Sequence, residues 1–400
     1  MVGKLPQLKH PHGNYFYFTT FMVDKPIAHD VGAGVDAKYN SIVFQSHATS
    51  AVQMKTNVRK TYNFLISLLI ILATYGFIYQ QLFHKRDIQS VYKAFLDSFH
   101  NTWFIYMIIL VGLLMILNWG IEALKWSLLI RKIEKVRWLT SFKAVLTGVA
   151  VSSFTPNRVG DYFGRVFILE KANRIEGIFI TILGSMSQLL VTFLAGTTCI
   201  FFLFLGHHQT LLEYFNIPAY VYTWLLWGGG ILILGLNILF ILLFLNISLL
   251  SSLAGKFKGR TLERFTSYIH VLSAYSVREL LIIIMLSAFR FIVFSSQMWI
   301  LLRAFSVELP FLHGMIIIGV IFFTITMIPT VAIADLGIRG SVSLFIIGVY
   351  LGNPSEMPPE LALGVVAAST SLWLINLALP ALVGAIMVFS LKFFRRSSNE

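Results

Sequence analysis

Charge is scarce in this 400-residue sequence. Asp, Glu, Lys and Arg together make up 12% of it, about half of what a soluble domain carries. Cysteine is nearly absent. The single Cys199 excludes an intrachain disulfide and, inside an apolar run, reads as a buried structural thiol. No Walker loop, nucleophile elbow or zinc-helix motif occurs, so no catalytic residue, cofactor or metal is assigned. The adjacent His207 and His208 have no Cys or acidic cluster beside them, which argues against a metal role. The first residues lack a basic stretch followed by an apolar core, so no signal peptide is read.

What is present is apolar. Hydrophobic residues make up 57%, Phe alone contributes 35 residues, and the mean hydropathy is +0.77. This is the composition of a polytopic membrane protein. The net charge of +13 sits in loops between apolar runs. It therefore speaks for orientation in a bilayer and not for nucleic acid.

Stretches of about 20 apolar residues, long enough to span, occur near 64–83, 103–124, 178–205, 221–246, 280–304 and 361–391. Two others, 139–172 and 311–351, are interrupted by Pro156 and Pro329. Their arms are short for a span, which predicts re-entrant hairpins, since irregular backbone at membrane depth needs protein or water around it. Lys and Arg flank the first span, the loop after the second, the loop after the fourth and the C-terminus. The loops 206–220 and 352–360 carry none. By the positive-inside rule both termini are cytoplasmic and the two hairpins enter from opposite sides. The expected fold is all-α: six spans plus two oppositely oriented re-entrant hairpins, as an inverted repeat of about 60–205 and 221–391. Eight plain spans are the alternative. Residues 1–53 show no period and are expected to be a weakly ordered extension, with Met54 a natural start. The membrane domain runs over 54–395, and 396–400 form a cytoplasmic tail. Trp224, Trp227, Tyr220 and Tyr222 read as an interfacial belt.

One short pattern occurs twice. Asp161 and Arg165 stand four residues apart, as do Asp335 and Arg339. Each ionisable group at membrane depth costs about 2.5–3.5 kcal/mol on insertion scales. Repetition of such pairs in both halves, beside Pro and Gly, is a transporter pattern. If helical, Arg158, Asp161 and Arg165 share one face, and Asp161 can pair with either arginine. Arginine forks grip phosphate. Pro156, Gly160, Gly164, Pro329 and Gly337 shape the hairpins and allow close backbone approach. The bland reading is an ion pair that pins a hairpin tip. Among the other intramembrane polar residues Arg290 is the deepest and joins the candidate headgroup set. Glu122 and Lys125 read as a local pair that snorkels to the cytoplasmic interface, and Arg303 as snorkelling outside.

The segment Thr155-Pro156-Asn157-Arg158-Val159-Gly160-Asp161 resembles a signature of the flippase-like transmembrane domain of lysylphosphatidylglycerol synthases. Asp335-Leu336-Gly337-Ile338-Arg339 resembles the family's second signature. Asp161 stands where Glu is usual, Asn157 and Asp335 where Gly is, and Gly340 where a second Glu is. The resemblance covers roughly 60–395. It implies movement of an anionic or aminoacylated lipid between leaflets. Full-length synthases add a soluble aminoacyltransferase domain after the membrane part, and with the chain ending at Glu400 aminoacylation is not expected here.

The leading expectation is a lipid translocase for a phospholipid or polyprenyl-linked lipid, with phosphate-bearing membrane lipids as partners, in a bacterial-type inner membrane. The alternatives are an integral membrane transferase for lipid-linked sugar or lipid headgroups, and an accessory subunit of a lipid-modifying enzyme.

Overall fold

The computed structural model describes residues 101–153, 155, 158–206, 218–248, 270–329, 332–352 and 357–388. The chain divides into two units, Met1–Phe64 and Leu65–Glu400, and every described residue lies in the second. The expected extension 1–53, the first span, Pro156, the two histidines and the tail fall outside the described residues.

All regular structure among the described residues is helical. The order is α1 (Thr102–Ile130), α2 (Trp138–Ser152), α3 (Gly160–Val166), α4 (Arg174–Gly206), α5 (Ala219–Leu245), a short 3-10 turn (His270–Ala274), α6 (Val277–Ala304), α7 (Phe311–Met327), α8 (Ala332–Tyr350), α9 (Pro359–Trp373) and α10 (Leu379–Val388). A π-helical turn, Leu374–Ala378, joins the last two. Four helical stretches are long and apolar enough to cross a membrane: Thr102–Ile130, Arg174–Gly206, Tyr220–Leu245 and Pro359–Met387. With the further apolar helices, this is an integral membrane protein.

Local sequence explains the boundaries. Asn101 caps α1, its side chain accepting from the Trp103 N–H at 3.0 Å. Ser276 and Glu279 form a reciprocal capping box at the start of α6. Pro329 disfavours the helical region for the residue before it, and Ile328 leaves α7 with φ −99° and ψ 109°. Pro380 lacks the N–H that would continue the helical ladder, and the π turn ends two residues before it. That turn places Asn376 in the interior.

The bundle is apolar outside and polar inside, as a bilayer requires. On α1, Trp103, Tyr106, Ile109, Leu113 and Ile116 form an exposed stripe at helical spacing, while Asn118, Glu122 and Lys125 are buried. Helix α5 is exposed along most of its length, with Tyr220, Trp224 and Trp227 outward. Tyr222 departs from the expected belt. It is buried, and its hydroxyl donates to the Phe204 carbonyl. Arg303 is exposed as expected and lies over the Trp299 ring.

Two apolar cores flank the polar middle. One gathers the C-terminal half of α1 with α2, α3, α4 and the start of α6. The other gathers the end of α6 with α7, α8 and α9. The halves also exchange helices: α4 packs along α7, and α10 packs along α2. A glycine opens each crossing. A Cβ on Gly196 would collide with Phe323, and one on Gly384 with the Leu146 carbonyl.

Candidate functional site

The site begins with a close approach of α2 and α3. A Cβ on Gly164 would come within 2.7 Å of the Gly148 Cα, and one on Gly160 within 2.6 Å of the Val151 carbonyl. The Gly160 N–H donates to Thr155 Oγ1 at 2.8 Å. With no side chain at Gly148, the Asp161 carboxylate can lie directly against α2. Gly337 is buried in α8.

Arg165 then grips Asp161 with two parallel bonds, Nε to Oδ1 at 2.8 Å and Nη2 to Oδ2 at 2.6 Å. Its remaining terminal nitrogen reaches Glu122 Oε1 at 2.7 Å. Glu122 is the hub of the first half. Its Oε2 also binds Lys125 at 2.9 Å and Arg290 at 3.0 Å. Lys125 completes its shell with the Gly184 carbonyl at 3.1 Å and Ser287 Oγ at 3.3 Å. A buried pair holds only when such further bonds satisfy both partners.

The expectation that Glu122 and Lys125 snorkel is corrected here. They do pair, but both are buried, at 3% and 1% exposure. Lys125 looked like the end of a span. The helix instead runs on to Ile130, and Trp126, Leu129 and Ile130 bury that last stretch.

Arg290 joins the same hub. Its Nε donates to Asn118 Oδ1 at 3.1 Å, its Nη1 to Glu122 and, at 3.4 Å, to Gln188 Oε1. Its guanidinium lies over the Trp119 ring, 5.1 Å from the centroid.

The second pair is held differently. Arg339 Nε donates to Asp335 Oδ2 at 3.0 Å. Arg158 Nη2 donates to the same oxygen, also at 3.0 Å. One carboxylate thus serves two arginines, 177 residues apart in the case of Arg158. The face expected to unite Arg158 with Asp161 and Arg165 does not form. Helix α3 begins only at Gly160, and Arg158 stands before it with a left-handed φ of +57°, a conformation costly for a residue with a Cβ. That turn aims the side chain across to α8. Arg158, Asp161, Arg165, Arg290, Asp335 and Arg339 are therefore one neighbourhood.

Two polar cavities meet there. One, about 240 Å³, is lined by Arg158, Arg290 and Arg339 with Gln188, Asn376 and aromatic rings. The other, about 300 Å³, is lined by Glu122, Lys125, Asp161, Arg165 and again Arg158, Arg290 and Gln188. An apolar groove of about 510 Å³ between α4 and α5 adjoins them. It shares Leu189 with the second cavity, and Met327 on its wall follows the cavity-lining Thr326. Among the described residues no three His, Cys, Asp or Glu side chains gather so as to hold a metal ion.

Sequence reasoning found the arginines and both aspartates because charge stands out in apolar runs. Asn118 and Gln188 lie inside apolar runs, where a neutral polar side chain signals no role by itself. Asn376, set by the π turn and hydrogen-bonded to Asn118 at 3.3 Å, was missed. The signal available was an Asn four residues before Pro380.

The family model described as the lysylphosphatidylglycerol synthase TM region matches residues 63–384. The chain belongs to that family, as its two Asp–Arg segments suggested, and so to membrane proteins concerned with handling or modifying lipids. No curated protein and no solved structure matches it.

Proposed function

We propose that this member of the lysylphosphatidylglycerol synthase transmembrane-region family moves a phosphate-bearing lipid between leaflets. The headgroup passes through the arginine-lined cavities while the chains stay in the apolar surroundings. The observation that carries this reading is the adjacency of opposites. Two polar cavities with four arginines between them adjoin an apolar groove of about 510 Å³ that shares Leu189 with one of them. Amphiphiles need both environments side by side, and a soluble anion needs only the first.

Helix lengths support the re-entrant layout. At about 1.5 Å per residue, the 15 residues of α2 and the 7 of α3 are too short to cross a hydrocarbon layer of about 30 Å. The reciprocal packing of α4 on α7 and α10 on α2 is what an inverted repeat would produce. In this reading α2–α3 and α7–α8 enter from opposite faces, both termini are cytoplasmic, and the membrane is a bacterial-type plasma membrane.

Reconstitution tests the proposal. Arg158→Ala should insert normally but stop transbilayer movement of fluorescent phospholipid in proteoliposomes. Arg158→Lys should restore little, because an ammonium cannot offer the planar fork. Movement by Arg158→Ala at the wild-type rate would refute the role given to this site.

A further inference from the structure

Charge around the cavities is not balanced. Among the described residues, Lys125, Arg158, Arg165, Arg290 and Arg339 face only Glu122, Asp161 and Asp335. Asp161 is taken up by the bidentate grip of Arg165. Glu122 is shared among Lys125, Arg165 and Arg290. Asp335 is shared between Arg158 and Arg339. Two positive charges remain over.

Their location is as informative as their number. The 240 Å³ cavity has Arg158, Arg290 and Arg339 on its walls and no carboxylate among its described lining residues. The shared carboxylates Glu122 and Asp335 bind these arginines but are not among the cavity's described lining residues. The Arg158 side chain is half exposed. Arg339 spends only its Nε on Asp335 and has no other protein partner for its terminal nitrogens among the described residues. Gln188 and Asn376 add neutral polar groups to the same walls.

We propose, building on the lipid-moving reading above, that the preferred substrate headgroup is dianionic: a phosphomonoester or diphosphate lipid. When a headgroup displaces the cavity water, the surplus charges on the walls lose their hydration and must be neutralised by the headgroup itself. A phosphodiester with one negative charge neutralises one of the two. A zwitterionic headgroup neutralises none, and an aminoacylated one brings a further cation against three arginines. A terminal phosphate or diphosphate matches both charges and offers oxygens to more than one guanidinium fork. The unit is too small for a whole lipid, and at about 240 Å³ it suits a compact headgroup without a sugar or amino-acid appendage.

The test uses full-length protein in phosphatidylcholine vesicles. Each carries a trace of one acyl-labelled lipid: phosphatidic acid, phosphatidylglycerol or phosphatidylcholine. Phosphatidic acid should cross fastest, by about tenfold over phosphatidylglycerol, because mismatched charge inside a site is strongly penalised. Gln188→Glu, which adds one negative charge next to Arg290, should erase that tenfold preference and leave phosphatidylglycerol the better substrate. Equal rates for all three lipids would overturn the charge matching while leaving lipid movement standing. So would an unchanged preference in Gln188→Glu. If none of the lipids moves, the translocase reading falls, and binding decides the substrate class. A rise in melting temperature with phosphatidic acid but not phosphatidylcholine then upholds it, and equal shifts overturn it. A rise with inorganic pyrophosphate alone would assign the site to a free phosphate compound and overturn the lipid assignment.

Discussion

The two Asp–Arg pairs share spacing and differ in surroundings. Arg165 is buried and engaged at all three of its nitrogens, with two bonds to Asp161 and one to Glu122. Arg339 makes one bond to an aspartate that it shares with the half-exposed Arg158. The first pair ties α3 to α1 and, through Glu122, to α6. The second faces the cavity with donors to spare. The same four-residue device thus closes into a tightly bonded pair in one half and leaves guanidinium donors towards a cavity in the other.

The strongest test of that difference removes one carboxylate from each side. Glu122→Gln leaves Lys125, Arg165 and Arg290 facing one another in the interior. Breaking a buried network of this kind costs about 3–5 kcal/mol. Asp335→Asn leaves Arg158 and Arg339, which water in the cavity can solvate, so about 1–2 kcal/mol is expected. Thermal unfolding in detergent should show a clearly lower melting temperature for Glu122→Gln than for Asp335→Asn. Equal losses would mean that the halves do not differ in this way.

Helix packing should behave in the opposite sense and show equivalence. Gly196 and Gly384 open the two reciprocal crossings, and a Cβ at either would collide with its neighbour. Each Gly→Ala change should cost about 1–3 kcal/mol by overpacking. Gly235 on α5 has open space around its missing Cβ, so Gly235→Ala should not lower the melting temperature. A large loss at Gly384 with none at Gly196 would break the equivalence of the halves.

Much of this was legible from residues alone. The four long apolar helices near 103–124, 178–205, 221–246 and 361–391 followed from apolar run length, and the Asp–Arg pairs from the cost of charge in an apolar setting. Less legible was which partner each charge takes. Arg158 falls at helical spacing from Asp161, and spacing cannot reveal the left-handed turn that sends it to Asp335. Lys125 sits shortly before a run of loop bases. Whether it ends a span or lies inside one depends on whether Trp126, Leu129 and Ile130 find cover, which is a tertiary fact. Asn376 reaches the cavity through a π turn, a backbone register that no side-chain periodicity records.

Arg158 is where the comparison between halves is sharpest, since it belongs to the α2–α3 segment by sequence and to the second pair by charge. Its backbone and its side chain make separable demands. At φ +57° any residue with a Cβ is disfavoured by about 1–2 kcal/mol relative to glycine. Arg158→Gly should therefore melt higher than Arg158→Ala by about 1 kcal/mol of stability, part of it offset by the greater backbone freedom of glycine when unfolded. Both variants lack the guanidinium, and both should fail to move lipid. If Arg158→Gly transports at the wild-type rate, the left-handed turn and not the arginine is what the site requires. If Arg158→Ala proves the more stable of the two, the backbone at this position is not left-handed in the membrane, and the bond to Asp335 that couples the two halves loses its structural basis.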